Sequence, residues 1–364
     1  MALPLKDAFT ARAIGTAWDR YQQSLGLPPY LGRSFFGTQK KMGLDLKWIK
    51  GSHGLPVSLK GANFDAKAPL RDGIGFKMIE QGMPFFRESY LVTEQEEQDY
   101  MTFLNAQNSA MANQVLAEIM KKPLDLVQGA DVVPERMIWQ LLAPANGIPQ
   151  IVVTVDGGST YVIDYTDDNG VAYKATNYTA LSGTSLWTAP STATPIKDLS
   201  DMQEKYTLNH GGRLTTFVMN QTTWKQLVNA DDTRTQVLGT IAASGGVMLR
   251  DNDVRAFLLS NYGITVLVYN KMFMAENGTA STFIPTGVVV GIDGAASTLG
   301  TVFYGTTPEE RSGNLSIGNL SIVNTGVSIY TYTTPHPVNT HCVVSEIVLP
   351  SYENMDRVAI LKAN

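Results

Sequence analysis

The composition of this chain argues against several classes of protein. Its 364 residues exceed the roughly 100–200 residues of one domain, so two domains, or one domain with long excursions, are expected. Charged residues make up 17% of the chain, against about 25% in typical soluble proteins. The net charge of −5 argues against a protein whose main task is to grip phosphates. Part of such a weakly charged surface is expected to be covered by a partner.

Cysteine content and hydropathy exclude further classes of protein. Cys342 is the only cysteine, which excludes an internal disulfide framework and a thiol-rich metal site. The N-terminal 1–20 lacks a continuous apolar segment, and no run approaches the about 18 apolar residues of a membrane span. We therefore expect a cytosolic product with no membrane partner.

The first predicted segment is an N-terminal arm over 1–43. Gly and Pro residues alternate there with isolated aromatic residues, and we find no helical or strand period. The aromatic residues are Trp18, Tyr21, Tyr30, Phe35 and Phe36. Aromatics at such spacing usually anchor an extended segment to another molecule or to a groove in its own domain. The pattern leaves both possibilities open and predicts no contribution to a core.

A hairpin is predicted next, within 44–90. Apolar and polar residues alternate over 44–48 and again over 55–59, and the Gly-bounded 51–54 between them is typical of a turn. Few apolar residues follow before 83. We therefore expect the hairpin to project from the globular body.

The long helical signal of 93–143 is the element around which the rest must pack. Thr93 and Glu96 have the spacing of a capping box, in which each side chain accepts a hydrogen bond from the other residue's amide. The polar 105–113 predicts one break, and 129–131 predicts a second before Pro134 opens a last helical piece. Two or three helical pieces laid end to end are expected.

The remaining chain alternates strands with short helices. A strand, turn and strand are predicted over 151–168, and an irregular polar segment over 169–195. A mixed α/β lobe is expected over 180–325, with these elements: a helix at 198–208 capped by Asp198 or Ser200, a strand at 213–220, a helix at 221–229, and strands at 264–270 and 283–292. The C-terminal stretch from 327 is strand again and is expected to pair with strands that follow the helices.

Motifs that carry chemistry are weak. His336, His341 and Cys342 form the only metal-like cluster, but on a strand the H-x4-H spacing points the two rings to opposite faces. No glycine pattern matches a nucleotide-binding loop, and the acid pairs Asp167/Asp168 and Asp231/Asp232 lie in turn-like segments. We therefore predict no metal, no cofactor and no catalytic residue.

His210 gives the one enzymatic alternative. His210-Gly-Gly is similar to the oxyanion loop of hydrolases, but the G-x-S-x-G elbow that accompanies such loops is absent. A helix-to-strand turn is the favoured interpretation, and a hydrolase using His210 is kept as the alternative from another class.

Packing and turn motifs spread over most of the chain resemble one family. They are GLPVSLKGANFDAKAPLRDG (54–73), GMPFFRES (82–89), GADVVPERMIWQLLA (129–143), VIDY (162–165), LWTAP (186–190), KDLSDMQEKY (197–206), FVMNQTTWKQL (217–227), IPTGVVVG (284–291), TVFYGTTPEER (301–311) and TTPHPVNTHCVVSEIVLPSYENMDRV (333–358). Together they resemble the major capsid proteins of tailed phages, in the group similar to the lambda major head protein.

The resemblance implies an α+β fold of the Hong Kong ninety-seven capsid type. Its parts would be an N-arm (1–43), an extended hairpin loop (44–90), a peripheral domain with a spine helix (91–179 and 326–364) and an axial domain (180–325). The implied function is a major capsid protein that forms hexamers and pentamers of an icosahedral head around double-stranded DNA, without sequence specificity. An encapsulin-like compartment is the alternative within the same fold.

The resemblance also implies partners. The chain starts directly at the arm, without a long charged helical segment to be removed, so a separate scaffolding protein is expected. A portal would join the head, which would assemble in the host cytoplasm, and the resemblance leaves open whether a decoration protein binds.

Charge predicts one contact between copies. The segment 40–77 contains eight basic and three acidic residues, whereas 88–99 contains five acids and no base. In this type of capsid the extended loop lies across the neighbouring subunit's spine helix. We therefore predict that Lys60, Lys67 and Trp48 of one copy meet Glu94 and Glu97 of the next, against the alternative that both clusters are solvated faces.

Overall fold

The protein is described by a computed structural model, which covers 9–25, 30–50, 77–106, 109–154, 159–166, 177–239, 249–311 and 318–364. The chain folds as two compact units. Unit 1 comprises the described residues of Met1–Leu46, Glu80–Arg136 and Thr301–Ser351, and unit 2 those of Lys47–Ile79, Met137–Gly300 and Tyr352–Asn364. The predicted turn at 51–54, the strand at 55–59 and the pair Asp167/Asp168 lie outside the described residues.

Helices and strands contribute to both units. The described α-helices are α1 (Ala11–Leu25), α2 (Glu94–Asn105), α3 (Ser109–Leu142), α4 (Pro195–His210), α5 (Gln221–Asn229), α6 (Asp231–Leu238), α7 (Asp251–Tyr262) and α8 (Pro308–Arg311). The described strands are β1 (Phe36–Lys40), β2 (Asp45–Lys50), β3 (Lys77–Gly82), β4 (Phe85–Val92), β5 (Gln150–Thr154), β6 (Thr160–Asp164), β7 (Tyr178–Ala180), β8 (Leu214–Met219), β9 (Thr265–Val268), β10 (Met272–Met274), β11 (Ala280–Thr282), β12 (Val288–Asp293), β13 (Gly300–Tyr304), β14 (Gly318–Val323), β15 (Val327–Pro335), β16 (Val338–Pro350) and β17 (Val358–Lys362).

A six-stranded sheet organises unit 1. Its order is β1-β13-β16-β15-β14, and β4 also pairs with β16. Side chains alternate across a sheet, so Ile329 and Val344 face the helices while Ser328 and Ser345 face the other way. The first pair is buried in one apolar cluster with residues of α1, α2 and α3.

Helix α1 corrects the expectation that 1–43 has no period and adds no core. Ala11, Ile14 and Trp18 are spaced at 3 to 4 residues and are all buried in the cluster of unit 1. The Trp18 indole also donates to the Asn324 amide oxygen. A helical stripe was overlooked because small residues separate its few large side chains.

The long helical signal is confirmed as two pieces, α2 and α3, that are broken between 105 and 109. The second predicted break, at 129–131, was wrong because α3 continues through it and through Pro134. Asp131 binds Arg33 and Asn324, and Glu135 accepts from the Gly32 amide. Contacts with residues far away in the sequence therefore keep this polar stretch helical, although its composition is typical of a turn.

Unit 2 is built on a second sheet, ordered β7-β17-β12-β8-β9. The predicted strands at 213–220 and 264–270 and the helix at 221–229 are confirmed by β8, β9 and α5. Every residue of β12 is buried, as in a strand covered on both faces, although it is shorter than the predicted 283–292. Two-stranded sheets are formed by β2 with β3, β5 with β6 and β10 with β11.

Two predictions of local structure in unit 2 were wrong. Helix α4 begins at Pro195, a favourable first-turn residue, so neither Asp198 nor Ser200 caps it. Asp198 instead accepts a hydrogen bond from the buried Trp187 indole at 2.8 Å. Asp231 and Asp232 lie in the first turn of α6 rather than in a loop.

The C-terminal strands were expected to pair with strands that follow the long helices. This is confirmed for β17, which pairs with β12 and β7. It is also confirmed for β15, which pairs with β14, and for residues 348–350 of β16, which pair with β13. Residues 340–347 of β16 pair in addition with β4, a strand that precedes those helices. Within the described ranges, no helix is both long and apolar enough to cross a membrane.

Candidate subunit interface

Glu94 and Glu97 are positioned by the start of α2. Glu94 is its first residue and is exposed, and Glu97 lies one turn later, half-buried. Carboxylates at this end of a helix are stabilised by the exposed amides of the first turn. Glu94 Oε1 also accepts from the backbone amide of Val338 at 2.6 Å. In the part of the chain that the structure describes, neither acid forms an ion pair, so both can accept a cation from another molecule.

Glu96, between them, is already used within the chain. The capping box with Thr93 is confirmed, since Glu96 Oε2 accepts from the Thr93 amide at 3.0 Å. Its Oε1 accepts from Tyr90 at 2.9 Å and from Lys122 at 3.0 Å, which joins α2 to β4 and α3. Burial acts to raise the pKa of Glu96, but the bonds from Thr93, Lys122 and Tyr90 outweigh it and lower the pKa. A basic partner would therefore meet Glu94 and Glu97.

The predicted basic side of this contact is only partly visible. Trp48 lies in β2, of which the backbone is described, while Lys60 and Lys67 lie outside the described residues. The predicted contact between copies stays a prediction.

Glu309 and Glu310 form a second charged cluster that the sequence analysis missed. Glu309 pairs with Arg87 of β4 at 2.5 Å, and Glu310 pairs with Lys40 of β1 at 2.6 Å. The segment PEER was noted only as part of a family motif. Two acids in one turn, flanked by strands rich in hydroxyl groups, were the available signal.

His210 lies where α4 ends and the chain turns toward β8, which confirms the predicted helix-to-strand turn. Gly211 follows it with φ 72°, a left-handed conformation that closes the helix. The imidazole stacks on Tyr206, and its Nε2 donates to the Asn177 side-chain oxygen at 2.7 Å. The Asn177 amide nitrogen donates to the Val358 carbonyl, which fixes its oxygen as the acceptor. These contacts stabilise the turn.

The histidines near Cys342 are separated by the fold. His336 lies in the turn between β15 and β16 rather than on the expected strand, and His341 stacks on Tyr332 with ring centroids 4.7 Å apart. Burial raises the pKa of the Cys342 thiol to about 12. No group of three or more His, Cys, Asp or Glu residues within the described ranges is arranged to hold a metal ion.

Comparisons with known proteins agree on one family. The family model for phage major capsid protein E matches residues 11–357. A protein assigned as the capsid protein of an Escherichia coli CFT073 prophage is 11% identical, has a TM-score of 0.57 and is covered over 100% of both chains. A phage-related protein from Bordetella bronchiseptica RB50 is 11% identical, has a TM-score of 0.51 and is covered over 97% of both chains. No curated relative matches the sequence.

These similarities confirm the α+β capsid fold of the Hong Kong ninety-seven type that the resemblance implied. The family match covers almost the whole described chain, including both compact units. The chain therefore belongs to the phage major capsid protein E family.

Proposed function

We propose that copies of this capsid protein assemble into hexamers and pentamers, which close into an icosahedral head around double-stranded DNA. The family match over residues 11–357 supports the proposal, because that family supplies the main structural protein of the virion. The DNA would be enclosed without sequence specificity, as the net charge of −5 offers no general phosphate-binding surface. Assembly would take place in the host cytoplasm, with a separate scaffolding protein and a portal as partners.

The proposed domains divide the chain into an arm (1–43), an extended loop (44–90), a peripheral domain (91–179 and 326–364) and an axial domain (180–325). The long helix α3 and the six-stranded sheet of unit 1 support a peripheral domain, and the five-stranded sheet of unit 2 supports an axial domain. Strand pairing refines these ranges. Because β17 pairs in the sheet of unit 2, we assign 358–362 to the axial domain. Because β13 and β14 pair in the sheet of unit 1, we assign 300–304 and 318–323 to the peripheral domain.

Electron microscopy of particles from infected or expressing cells, combined with nuclease protection, tests this function. We expect closed particles, and DNA inside those made with the packaging machinery should survive nuclease. Closed particles that hold a protein cargo in place of DNA would favour the encapsulin-like alternative. A chain that stays monomeric with its scaffold present would contradict the proposal.

We further propose that Lys60, Lys67 and Trp48 of the extended loop contact Glu94 and Glu97 of a neighbouring copy. The accessible acids at the start of α2 and the basic composition of 40–77 support this contact. Opposite charges would steer the loop to its position and set the register between copies.

Charge reversal tests the contact. Lys60→Glu with Lys67→Glu should slow assembly, and adding Glu94→Lys with Glu97→Lys should partly restore it, because only contacting groups show such coupling. Light scattering would follow assembly at several salt concentrations. Asp231→Lys with Asp232→Lys reverses two acids at the start of α6 and serves as the control. Purely additive rates, or rates unaffected as the screening length falls from about 10 Å to about 3 Å, would contradict the contact.

A further inference from the structure

The segment 41–86 connects β1 to β4 in unit 1, and the strand residues at its two ends are ion-paired to the same helical turn. Lys40, the last residue of β1, pairs with Glu310 at 2.6 Å. Arg87, near the start of β4, pairs with Glu309 at 2.5 Å and lies over the Phe85 ring. Adjacent residues of α8 therefore connect the departing and the returning chain.

The acids of α8 are themselves fixed on the sheet. Ser345 of β16 donates to Glu309 at 2.8 Å, and Ser328 of β15 donates to Glu310 at 3.1 Å. Thr307 adds a hydrogen bond of 2.7 Å to the Ser328 hydroxyl. The side chains of Glu309 and Glu310 are only 10% and 8% exposed, whereas those of Arg87 and Lys40 are 46% and 35% exposed, so water reaches each pair from the side of its cation only.

Backbone contacts bring the two ends together at the same place. The Lys41 amide donates to the Tyr304 carbonyl at 2.7 Å, and the Met83 amide donates to the Leu44 carbonyl at 2.8 Å. Beside these contacts, glycine at 305 lets the chain between β13 and α8 lie against β16, because a Cβ atom there would be 2.7 Å from the Ile347 side chain. We call Lys40, Arg87, Glu309 and Glu310 the root clamp.

The root clamp lies on the face of the sheet opposite the apolar cluster of unit 1. Ser328 and Ser345, which hold it, alternate along their strands with the buried Val327, Ile329 and Val344. Loss of the clamp therefore leaves the packing of that cluster in place. Its effect should fall on the direction of the chain at 40–44 and 83–87.

We propose that the root clamp is a positioning device for the extended loop. It fixes the direction in which the two ends of the loop leave unit 1, and thereby determines whether the loop can reach a neighbouring copy. The inference rests on the proposed function, since it concerns how one copy is set up to contact the next. It is independent of Lys60, Lys67, Glu94 and Glu97.

Single and paired charge reversals test the root clamp. Lys40→Glu and Arg87→Glu, which change the more exposed partner of each pair, should each lower the yield of closed particles about tenfold. Lys40→Glu with Glu310→Lys, and Arg87→Glu with Glu309→Arg, should recover most of that loss. The exposed pair Lys197–Asp201 in α4, 2.7 Å apart, provides the control, and reversing either of its charges should leave the yield unchanged.

Thermal unfolding of free subunits separates positioning from folding. The single variants should unfold within a few degrees of the Lys197→Glu control while still assembling poorly. If they assemble like the natural chain, or if their poor yield is matched by an equal loss of subunit stability, the root clamp is not a positioning device. If the natural chain itself forms no particles, the proposed function fails instead.

Discussion

Glu346 is the most unusual single residue in unit 1. It is buried in β16, and no described residue forms a hydrogen bond with either of its carboxyl oxygens. Arg33, the cation whose charge acts on Glu346, is itself paired with Asp131 at 2.8 Å. Burial raises the pKa of Glu346 well above its ordinary value, Arg33 lowers it in part, and Asp131 raises it again. Burial therefore favours the neutral form of this carboxyl group in the folded protein.

A neutral Glu346 makes stability depend on pH. The pKa of Glu346 is higher in the folded than in the unfolded chain. Its contribution to the free energy of unfolding is therefore complete below the unfolded pKa of about 4.5 and is lost as the pH rises through the folded pKa. Glu346→Gln should remove up to about 1.4 kcal/mol per pH unit of this dependence. Urea unfolding from about pH 5 to about pH 9 measures it. Parallel stability curves for the two proteins would contradict the neutral state.

The residue scale also shows which contacts a sequence can predict. Thr93 and Glu96 are three positions apart, so their reciprocal hydrogen bonds follow from spacing alone and are confirmed. The pair Arg33–Asp131 joins residues 98 positions apart, and neither position shows a local signal. Sequence patterns predict local geometry, whereas a buried charge network depends on how distant segments pack.

At the scale of the element, the capping box at the start of α2 leads to a testable prediction. Thr93→Ala removes one cap of α2 and should destabilise the subunit by ~0.5–2 kcal/mol. Calorimetry of free subunits would measure the lower melting temperature. Because the cap acts only on the helix start, particles assembled from this variant should keep their size. Particles of altered diameter would show that Thr93 has a further role in the shell.

Helices α1 and α3 show why element boundaries were harder to predict than element types. The period of α1 rests on three buried residues among small and polar ones, so its helical stripe was overlooked. In α3, Gly129 and Asp131 resembled a break, but packing against the sheet and the Arg33 contact hold the helix through it. Tertiary contacts outweighed local preference in both cases.

At the scale of the whole molecule, the family and the fold could be predicted from motifs in many parts of the chain. The family match and the similar structures confirm both. The residues that join one copy to another could not be established in the same way, because a contact between copies leaves no periodic pattern within one sequence. The five predicted contact residues and the root clamp therefore await measurement on assembled particles.

A three-dimensional reconstruction of assembled particles by electron cryo-microscopy tests the proposed function most directly. We expect an icosahedral shell in which copies of this chain form both hexamers and pentamers, with the extended loop of each copy on the start of α2 of a neighbour. Particles without fivefold positions, or a shell in which another protein forms the lattice, would contradict the assignment of this chain as the unit of the head.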